Sequence, residues 1–583
     1  MKYVLIFLII VSALLQAQMF TRIYEGDIVT DEDNSFCSAW ADVDNDEDLD
    51  LFVSNYGNNN CLYLNNGDGS FDKLQTGSIV NDGGTSLSGF WIDYDNDTLL
   101  DMFVTNDHTS SNFLYKNLGN GNFNRITNSP ILSGNYYYHS EWSDYDKNGV
   151  IDIFLCNARA NSFDKLFKGT NSGTFIEVDN EYWQQDGTKS VSANWIDLNN
   201  DSFLDLYISK TYGIDNRLYF NLQDDGFLPM NQDESVIVSD QGYSNSSNWI
   251  DYDNDGDFDL FVVNSNYQRN CLYRNDGNLN FNKILDTPLY TEESNTRSAG
   301  WGDYDNDGDI DVFIANGFWD EDRLNYLYNN DGFGNFELIE NDAMCSDETN
   351  SIGCNWVDYD NDGDLDLFVA NGTSYVVSKN CFYKNEGNKN NWVKIKLLGT
   401  QSDSYALGAV LKIKAIISDE PVWQIRHVSS STGRASQCGY FAHFGMGDAA
   451  FADSLIIKWP SGNIETFTDI AANQTLYVTE QNTNSVQNVV SSDRVLLTNY
   501  PNPFNPSTTI SFSLSNEQNQ QNEQILLDIY NVKGQKVDTL PVILNGIEGA
   551  VTWNAEHYSS GIYFYKLVVD NEVIATKKMM LIK

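Results

Sequence analysis

The chain has 583 residues, too many for one ordinary hydrophobic core, so several domains are expected. Aromatic residues make up 13% of it and Pro is scarce, which excludes a disordered chain and favours folded β structure. With 83 acidic and 34 basic residues the formal net charge is -49, a surface that repels nucleic acid and anionic lipid but attracts divalent cations.

At the start, Met1 and Lys2 precede an apolar run from Tyr3 to Leu15, followed by Gln16-Ala17-Gln18. A short basic start, a short apolar stretch and a small residue near its end predict a signal peptide over 1–18. The run falls short of the ~20 residues a spanning helix needs, which argues against a membrane anchor. No later apolar stretch is longer, so the mature chain is expected to be exported and to have no transmembrane segment.

From residue 19 a repeat dominates. The pattern Trp-x-Asp-x-Asp/Asn-x-Asp/Asn-x-x-x-Asp occurs seven times, at Trp40, Trp91, Trp142, Trp195, Trp249, Trp301 and Trp356, with spacings of 51, 51, 53, 54, 52 and 55 residues. A regular period of this size with strand-like content predicts a seven-bladed β-propeller of four-stranded blades over 19–390. One unit parses into strands over 298–303, 312–315, 326–328 and 336–339, with an acidic loop between the first two. Short side chains before the Trp, as in Ser246-Ser247-Asn248, place that strand innermost, where blades converge. Six units supply a Phe in the fourth strand: Phe71, Phe123, Phe175, Phe227, Phe281 and Phe336. The seventh lacks one, but Phe20 precedes Trp40 by 20 residues, as Phe71 precedes Trp91. The N-terminal strand should therefore complete the last blade and close the ring.

The acidic loops place oxygen donors at positions 1, 3, 5 and 9. In chain order these are Asp42, Asp44, Asp46, Asp50; Asp93, Asp95, Asp97, Asp101; Asp144, Asp146, Asn148, Asp152; and Asp197, Asn199, Asp201, Asp205. The last three sets are Asp251, Asp253, Asp255, Asp259; Asp303, Asp305, Asp307, Asp311; and Asp358, Asp360, Asp362, Asp366. Alternate residues of a tight loop point to one centre, and many hard oxygen ligands suit Ca²⁺ rather than Mg²⁺ or zinc. Four converging carboxylates without a cation would be costly, so up to seven structural Ca²⁺ are expected instead of plain solvent turns. An EF-hand would need an acidic residue at position 12, where Val262, Ile314 and Val369 stand. The last three loops carry Gly256, Gly308 or Gly363 at position 6, where a sharp turn favours Gly. The first two carry Glu47 and Thr98 there, while Asn148 and Asn199 each remove a charge, so those four sites should bind more weakly. Of the eight cysteines, Cys61, Cys271 and Cys381 recur at one strand position as small core residues, and Cys345 and Cys354 flank a loop that a disulfide could close.

The sequence Trp-x-Asp-Tyr-Asp-Asn-Asp-Gly-Asp-x-Asp-Leu-Phe resembles the FG-GAP/VCBS repeat, which implies a propeller with calcium in the hairpin between strands one and two. Over 391–480, Gly408-Ala409-Val410-Leu411-Lys412-Ile413, Ser436-Gln437, His443-Phe444-Gly445-Met446-Gly447 and Lys458-Trp459-Pro460-Ser461-Gly462 resemble the ASPIC/UnbV domain, here a small β domain. Arg434 stands where that resemblance leads one to expect Tyr. A polar stretch over 481–497 reads as a linker. Over 498–583, Asn499-Tyr500-Pro501-Asn502-Pro503-Phe504-Asn505-Pro506 and Gly561-Ile562-Tyr563-Phe564-Tyr565 resemble the sorting domain of type IX secretion. That resemblance implies a β-sandwich, use of the type IX machinery, and secretion or display on the outer surface of a Gram-negative bacterium.

No Gly-x-Ser-x-Gly, His-Glu-x-x-His, phosphate loop or dinucleotide motif occurs, and only five His exist. A recognition or adhesion protein for a glycan or an extracellular protein is the simpler expectation. The alternative, a polysaccharide-active enzyme of lyase type, rests on fold analogy. The loops opposite the acidic hairpins are aromatic, with Tyr56, Tyr136, Tyr137, Tyr138, Tyr182, Trp183, Tyr212, Tyr243, Tyr267, Phe318, Trp319 and Tyr375. They suit sugar or protein contact, or they simply cover the blade tops. The third blade has His139 and Glu141 where others have small or neutral residues, a departure that marks either function or drift. The candidate ligand contacts are His108, Tyr137, His139, Glu141 and Trp319, on the face away from the hairpins.

Overall fold

The computed structural model describes residues 19–583 apart from 108–109, 120, 135, 160–161, 180–182, 184–188, 224–225, 292–294, 318–323, 341, 374–376, 435, 482–484, 489–497, 501–504, 514–524, 532–535, 542–543, 546–547, 570–571 and 582. The expected signal peptide over 1–18 and the candidate residues His108 and Trp319 lie outside the described residues.

The periodic region folds into seven antiparallel sheets. The sixth blade shows the pattern, with strands Thr296–Gly302, Asp311–Asn316, Tyr326–Asn330 and Phe336–Leu338 in sequential order. Each innermost strand packs against the next, and Ser351–Val357 of the seventh blade returns to Ser35–Ala41 of the first. The propeller is therefore a closed ring. Its closure is the one expected: Phe20–Ile23 pairs antiparallel with Cys381–Asn385, Phe20 opposite Asn385, as the outer strand of the seventh blade.

The Trp repeat is a packing repeat. Each inner-strand Trp meets the outer-strand Phe of its own blade, from Trp40–Phe71 at 6.0 Å between centroids to Trp301–Phe336 at 6.1 Å. Phe20 takes the same place on Trp356 at 5.8 Å, so ring closure completes the side-chain pattern as well as the sheet. Between blades, Phe52, Phe103, Phe154, Tyr207 and Phe261 pack against the Trp of the following blade at 5.3–6.5 Å, and Phe368 returns to Trp40 at 5.8 Å. Such pairs contribute about 1 kcal/mol each beyond their buried area. Cys61, Cys271 and Cys381 are buried in third strands as expected. All eight cysteines are free, so the loop flanked by Cys345 and Cys354 carries no disulfide.

Residues 391–488 form two further sheets. Asn391–Leu398 lies between Phe441–Gly447 and Gln474–Thr479, and Val410–Ile417, Glu420–His427, Phe451–Lys458 and Ile464–Ala471 form the other with Ser485–Asn488. The polar stretch read as linker thus begins with a strand, because a sheet edge can be extended by backbone hydrogen bonds whatever the side chains. This domain is not an independent module. It belongs to one compact unit with the propeller, residues 1–488, while residues 489–583 form another. The second unit stacks two four-stranded sheets about Ile510, Leu527, Ile529, Trp553, Tyr565, Leu567 and Met579, the β-sandwich expected from its resemblance.

Removal of 489–583 should therefore leave the main unfolding transition of the propeller in place. A chain ending at residue 390 should unfold earlier, by on the order of 5–10 °C, or aggregate. Calorimetry on the two truncations checks both, and an unchanged midpoint for the shorter one would disprove the joint unit.

Candidate metal centres and the domain that covers them

Each acidic hairpin is organised by its own carboxylates. In five hairpins the position-1 Asp accepts from the backbone N–H groups of positions 5 and 6, as Asp307 and Gly308 donate to Asp303 at 3.0 Å each; in the fourth, Asp197 accepts from position 6 alone. The position-5 side chain accepts from position 7, as Asp309 N–H to Asp307 at 3.0 Å. The position-9 Asp has a double role. Asp311 accepts from Tyr304 N–H at 3.3 Å and from Asn330 N–H at 2.8 Å, tying the hairpin to the end of the third strand. The Asn330 amide then donates to Tyr252 O of the preceding hairpin at 2.7 Å, which links blade to blade. Asn65, Asn117, Asn221 and Asn385 repeat that link. This Asn column was readable as a repeat, since it recurs at the end of the third strand just before the outer turn.

The donor set fits a hard divalent cation. Asp42, Asp44 and Asp50, and likewise Asp93, Asp95 and Asp101, Asp144, Asp146 and Asp152, Asp251, Asp253 and Asp255, and Asp303, Asp305 and Asp311, bring one oxygen each within 4.8 Å of the others. At position 3 of six hairpins one buried oxygen, on Asp44, Asp95, Asp146, Asp253, Asp305 or Asp360, has no hydrogen-bond partner. An orphaned buried carboxylate oxygen is costly, and a cation there would satisfy it. Burial above all, with repulsion from Asp44 and Asp46 adding, pushes the Asp50 carboxyl up to about 8; Asp259 rises to about 9 through burial and its neighbours Asp253 and Asp251.

The hairpins differ in a way their acidic residues alone do not reveal. The penultimate residue of the third strand reaches position 3 in several blades. In blades two, three and seven it is a lysine: Lys116 pairs with Asp95, Lys168 with Asp146 and Lys384 with Asp360. These ammonium groups do part of a cation's work. In blade six the same place holds Asn329, which donates to Asp305 at 3.2 Å, and in blade one it holds Leu64. The seventh hairpin, expected among the strongest from its full Asp set, is thus partly self-neutralised. Backbone geometry follows expectation: position 6 has positive φ throughout, 93° at Gly256 and 103° at Gly308, but also 76° at Glu47 and 71° at Thr98, where a side chain is strained.

The hairpin face is covered. Lys394 of the second domain lies 2.6 Å from Asp358, with both side chains almost fully buried, and reaches Asn361 at 3.1 Å. Lys458 meets Asp197 at 2.5 Å, Ser404 donates to Asp93 at 2.8 Å, and Lys412 donates to Gly256 O at 3.0 Å. Arg426 lies half-buried near Asp303 and Asp251, where its charge opposes the rise in their proton affinity. The His443-to-Gly447 segment is the closest docking element. His443 hydrogen-bonds Gly363 O at 3.0 Å, Gly447 N–H donates to Asn306 O at 2.8 Å, and a Cβ on Gly445 would stand 2.0 Å from Asp303 Oδ2. Only glycine permits that approach.

One loop of this domain enters the axial channel. Gln437 and Cys438 pair in parallel with Ala39 and Trp40, adding a strand inside the first blade. Ser430 Oγ accepts from Trp142 N–H at 2.9 Å and Gln437 from Trp91 N–H at 2.8 Å, while Thr432 Oγ1 accepts from Asn355 at 3.2 Å. This plug explains the odd third blade. Ser429 and Ser431 donate to Glu141 at 3.0 and 2.6 Å, and His139 Nε2 sits 3.0 Å from the same carboxylate. His139, Glu141 and Tyr137 are 0%, 1% and 2% exposed, so the expectation that they meet ligand is corrected: they receive the plug or fill the core.

Family models match on this architecture. FG-GAP-like repeats match over residues 42–104, 93–155, 144–208, 251–314 and 303–369, ASPIC and UnbV over 399–485, and the secretion system C-terminal sorting domain over 498–583. The chain is an FG-GAP-repeat protein with an ASPIC/UnbV domain and a sorting tail. The tail marks it for type IX secretion to the cell surface or extracellular space, and among the described residues no helix is long and apolar enough to cross a membrane. It is similar to cartilage acidic protein 1 of Xenopus tropicalis, 28% identical over 37% of this chain and 33% of that one, and of Homo sapiens, 25% identical over 37% and 32%. The chain thus spans about a third of the length of these relatives. Among solved structures, the BP39L lectin from Burkholderia pseudomallei overlaps 60% of this chain and 98% of its own at 11% identity, with a TM-score of 0.40.

Three outcomes follow for the FG-GAP hairpins. Chelation should lower the melting temperature, and Asp307→Ala should cost more than Asp97→Ala, by about 2 kcal/mol, because Lys116 lies 3.0 Å from Asp97. Thermal melts in calcium and in chelator measure this. Lys394→Met strands Asp358 and should cost about 3–5 kcal/mol in chelator but less in calcium, which could replace the lost charge. Equal losses in both would show that no cation reaches that hairpin.

Proposed function

We propose that this exported protein is a calcium-stabilised recognition or adhesion protein whose ligand, a glycan or an extracellular protein, seats on the open axial face of the propeller. The hairpin face is occupied by the ASPIC/UnbV domain. The opposite mouth of the channel holds a cavity of about 430 cubic Å, and every innermost strand contributes to its wall the residue four before its Trp. Those residues are Phe36, Leu87, Tyr138, Val191, Asn245, Arg297 and Ile352. That ring is the observation that carries the reading.

The rim is aromatic and held under strain. Tyr212 and Tyr267 are 58% and 53% exposed and adopt φ of 67° and 57°, a left-handed conformation that bulky side chains rarely take. Strained residues persist where the surrounding structure enforces them, often at ligand sites. Tyr212 lies 5.8 Å from Tyr243, and Lys189 sits 3.4 Å over its ring, which fixes its face. Tyr56, foreseen among the aromatic loops, lines the same cavity, whereas Trp183 from that set is buried.

A glycan and protein array on the mature chain identifies the ligand. Tyr212→Ala and Tyr267→Ala should fold normally and each weaken binding about 10-fold, the worth of a stacked aromatic contact. Unchanged affinity in both variants would put the ligand elsewhere.

A further inference from the structure

We infer that the axial cavity takes an acidic glycan, and that Arg434, carried into the propeller by the ASPIC/UnbV plug, pairs with its carboxylate. The inference rests on the proposed use of the open face and names the ligand class for it.

The plug reaches the cavity from the far side. Gly433 packs against Ala299 O of the sixth blade, and Arg434 N–H donates to Ser298 Oγ at 3.3 Å. From there the Arg434 side chain extends to Tyr138 of the third blade, its guanidinium carbon 5.9 Å from the ring centroid. It crosses the channel and forms part of the cavity lining together with Arg297. Arg434 is half-buried, and its Nη1 is enclosed with no hydrogen-bond partner. Among the described residues no carboxylate pairs with it. An enclosed cationic donor without a partner is expensive to maintain, and burial pushes the proton affinity of the group down. A bidentate carboxylate from outside would supply what the chain does not.

The setting sharpens the argument. In a chain with 83 acidic and 34 basic residues, a cavity lined by two arginines is a local inversion of charge. Asp107, the acid in its wall, accepts a hydrogen bond from Tyr56 at 2.9 Å. The overall negative field opposes an anion at long range, but at physiological salt it is screened beyond about 8 Å, and inside the cavity the near charges decide. Ring faces from Tyr138, Tyr212 and Tyr243 suit the flat faces of sugar rings, and the Asn245 and Asn266 amides suit hydroxyls. An acidic peptide would share the carboxylate but would leave that row of ring faces without a flat partner.

The probe pair is a uronic-acid oligosaccharide and the same oligosaccharide after carboxyl reduction, titrated against the mature calcium-loaded protein by calorimetry. The wild type should prefer the acidic probe by about 10- to 100-fold, the worth of a charge-assisted pair. Arg434→Gln should abolish that preference, and Arg434→Lys should retain part of it, since an ammonium lacks the fork. The wild-type ratio needs no variant, so a poorly folded Arg434→Gln does not rescue the idea. Equal affinity for both probes would overturn the carboxylate pairing while leaving sugar recognition standing. Binding of neither probe, with binding of an acidic peptide instead, would overturn the glycan assignment. Binding of none of the three would overturn the acidic-glycan assignment, and the Tyr212 and Tyr267 variants then decide separately whether the open face is a site.

Discussion

The structure depends on keeping buried carboxylates neutralised. An FG-GAP blade places its position-1 and position-9 Asp where strands begin and end, and Asp259, Asp303, Asp311 and Asp358 are 0% or 1% exposed. Charges at that depth must find partners. The chain uses three kinds: backbone N–H groups inside the hairpin, lysines of its own third strands, and cations from outside the propeller. The ASPIC/UnbV domain supplies Lys394, Lys412, Arg426 and Lys458 to this one face. Its docking and the acidity of the hairpins are one electrostatic fact. The strained φ at Thr98 and Glu47, worth about 1 kcal/mol each, is small beside it.

The same contact fixes the geometry of the axis. A propeller of small inner-strand residues leaves a channel, and a channel lined by backbone and hydroxyls must be filled by water or protein. Here the loop after His427 fills it, bonding to strands of the first, second, third, sixth and seventh blades. The plug therefore couples blades that do not touch one another. It also gives the His139–Glu141 pair a structural role, because an inner-strand carboxylate that is 1% exposed needs donors and the plug provides two hydroxyls.

What the sequence made legible was whatever repeats. The Trp spacing, the fourth-strand Phe and the loop positions 1, 3, 5 and 9 are columns, and a column can be read without a partner. Ring closure by Phe20 followed from such a column and appears as both a strand pairing and a ring contact with Trp356. What stayed hidden was contact between columns and non-repeated residues. Nothing local to Lys394 reveals that Asp358 lies 36 positions upstream in sequence and 2.6 Å away in space. Glu141 read as a candidate ligand contact because the plug that buries it lies nearly 300 residues further on, 288 to Ser429. The column four before each Trp was readable too, but its meaning depends on knowing that its members converge on one cavity.

The division of faces then follows from charge and not from blade architecture. A propeller offers two ends, and its hairpin end is the more acidic by construction. In a chain of formal charge -49, that end can bind a domain of its own that turns lysines toward it far more readily than a foreign ligand, since the intramolecular partner is always at hand. Once the ASPIC/UnbV domain is seated, the remaining end is the one left for the proposed ligand. Specificity there cannot come from the acidic repeat, which is spent on the other face. It has to come from residues that vary between blades, and the ring of Phe36, Leu87, Tyr138, Val191, Asn245, Arg297 and Ile352 holds a different residue in every blade. A seven-fold scaffold thereby presents an asymmetric cavity, to which the plug adds a second guanidinium, that of Arg434, beside Arg297 of the sixth blade.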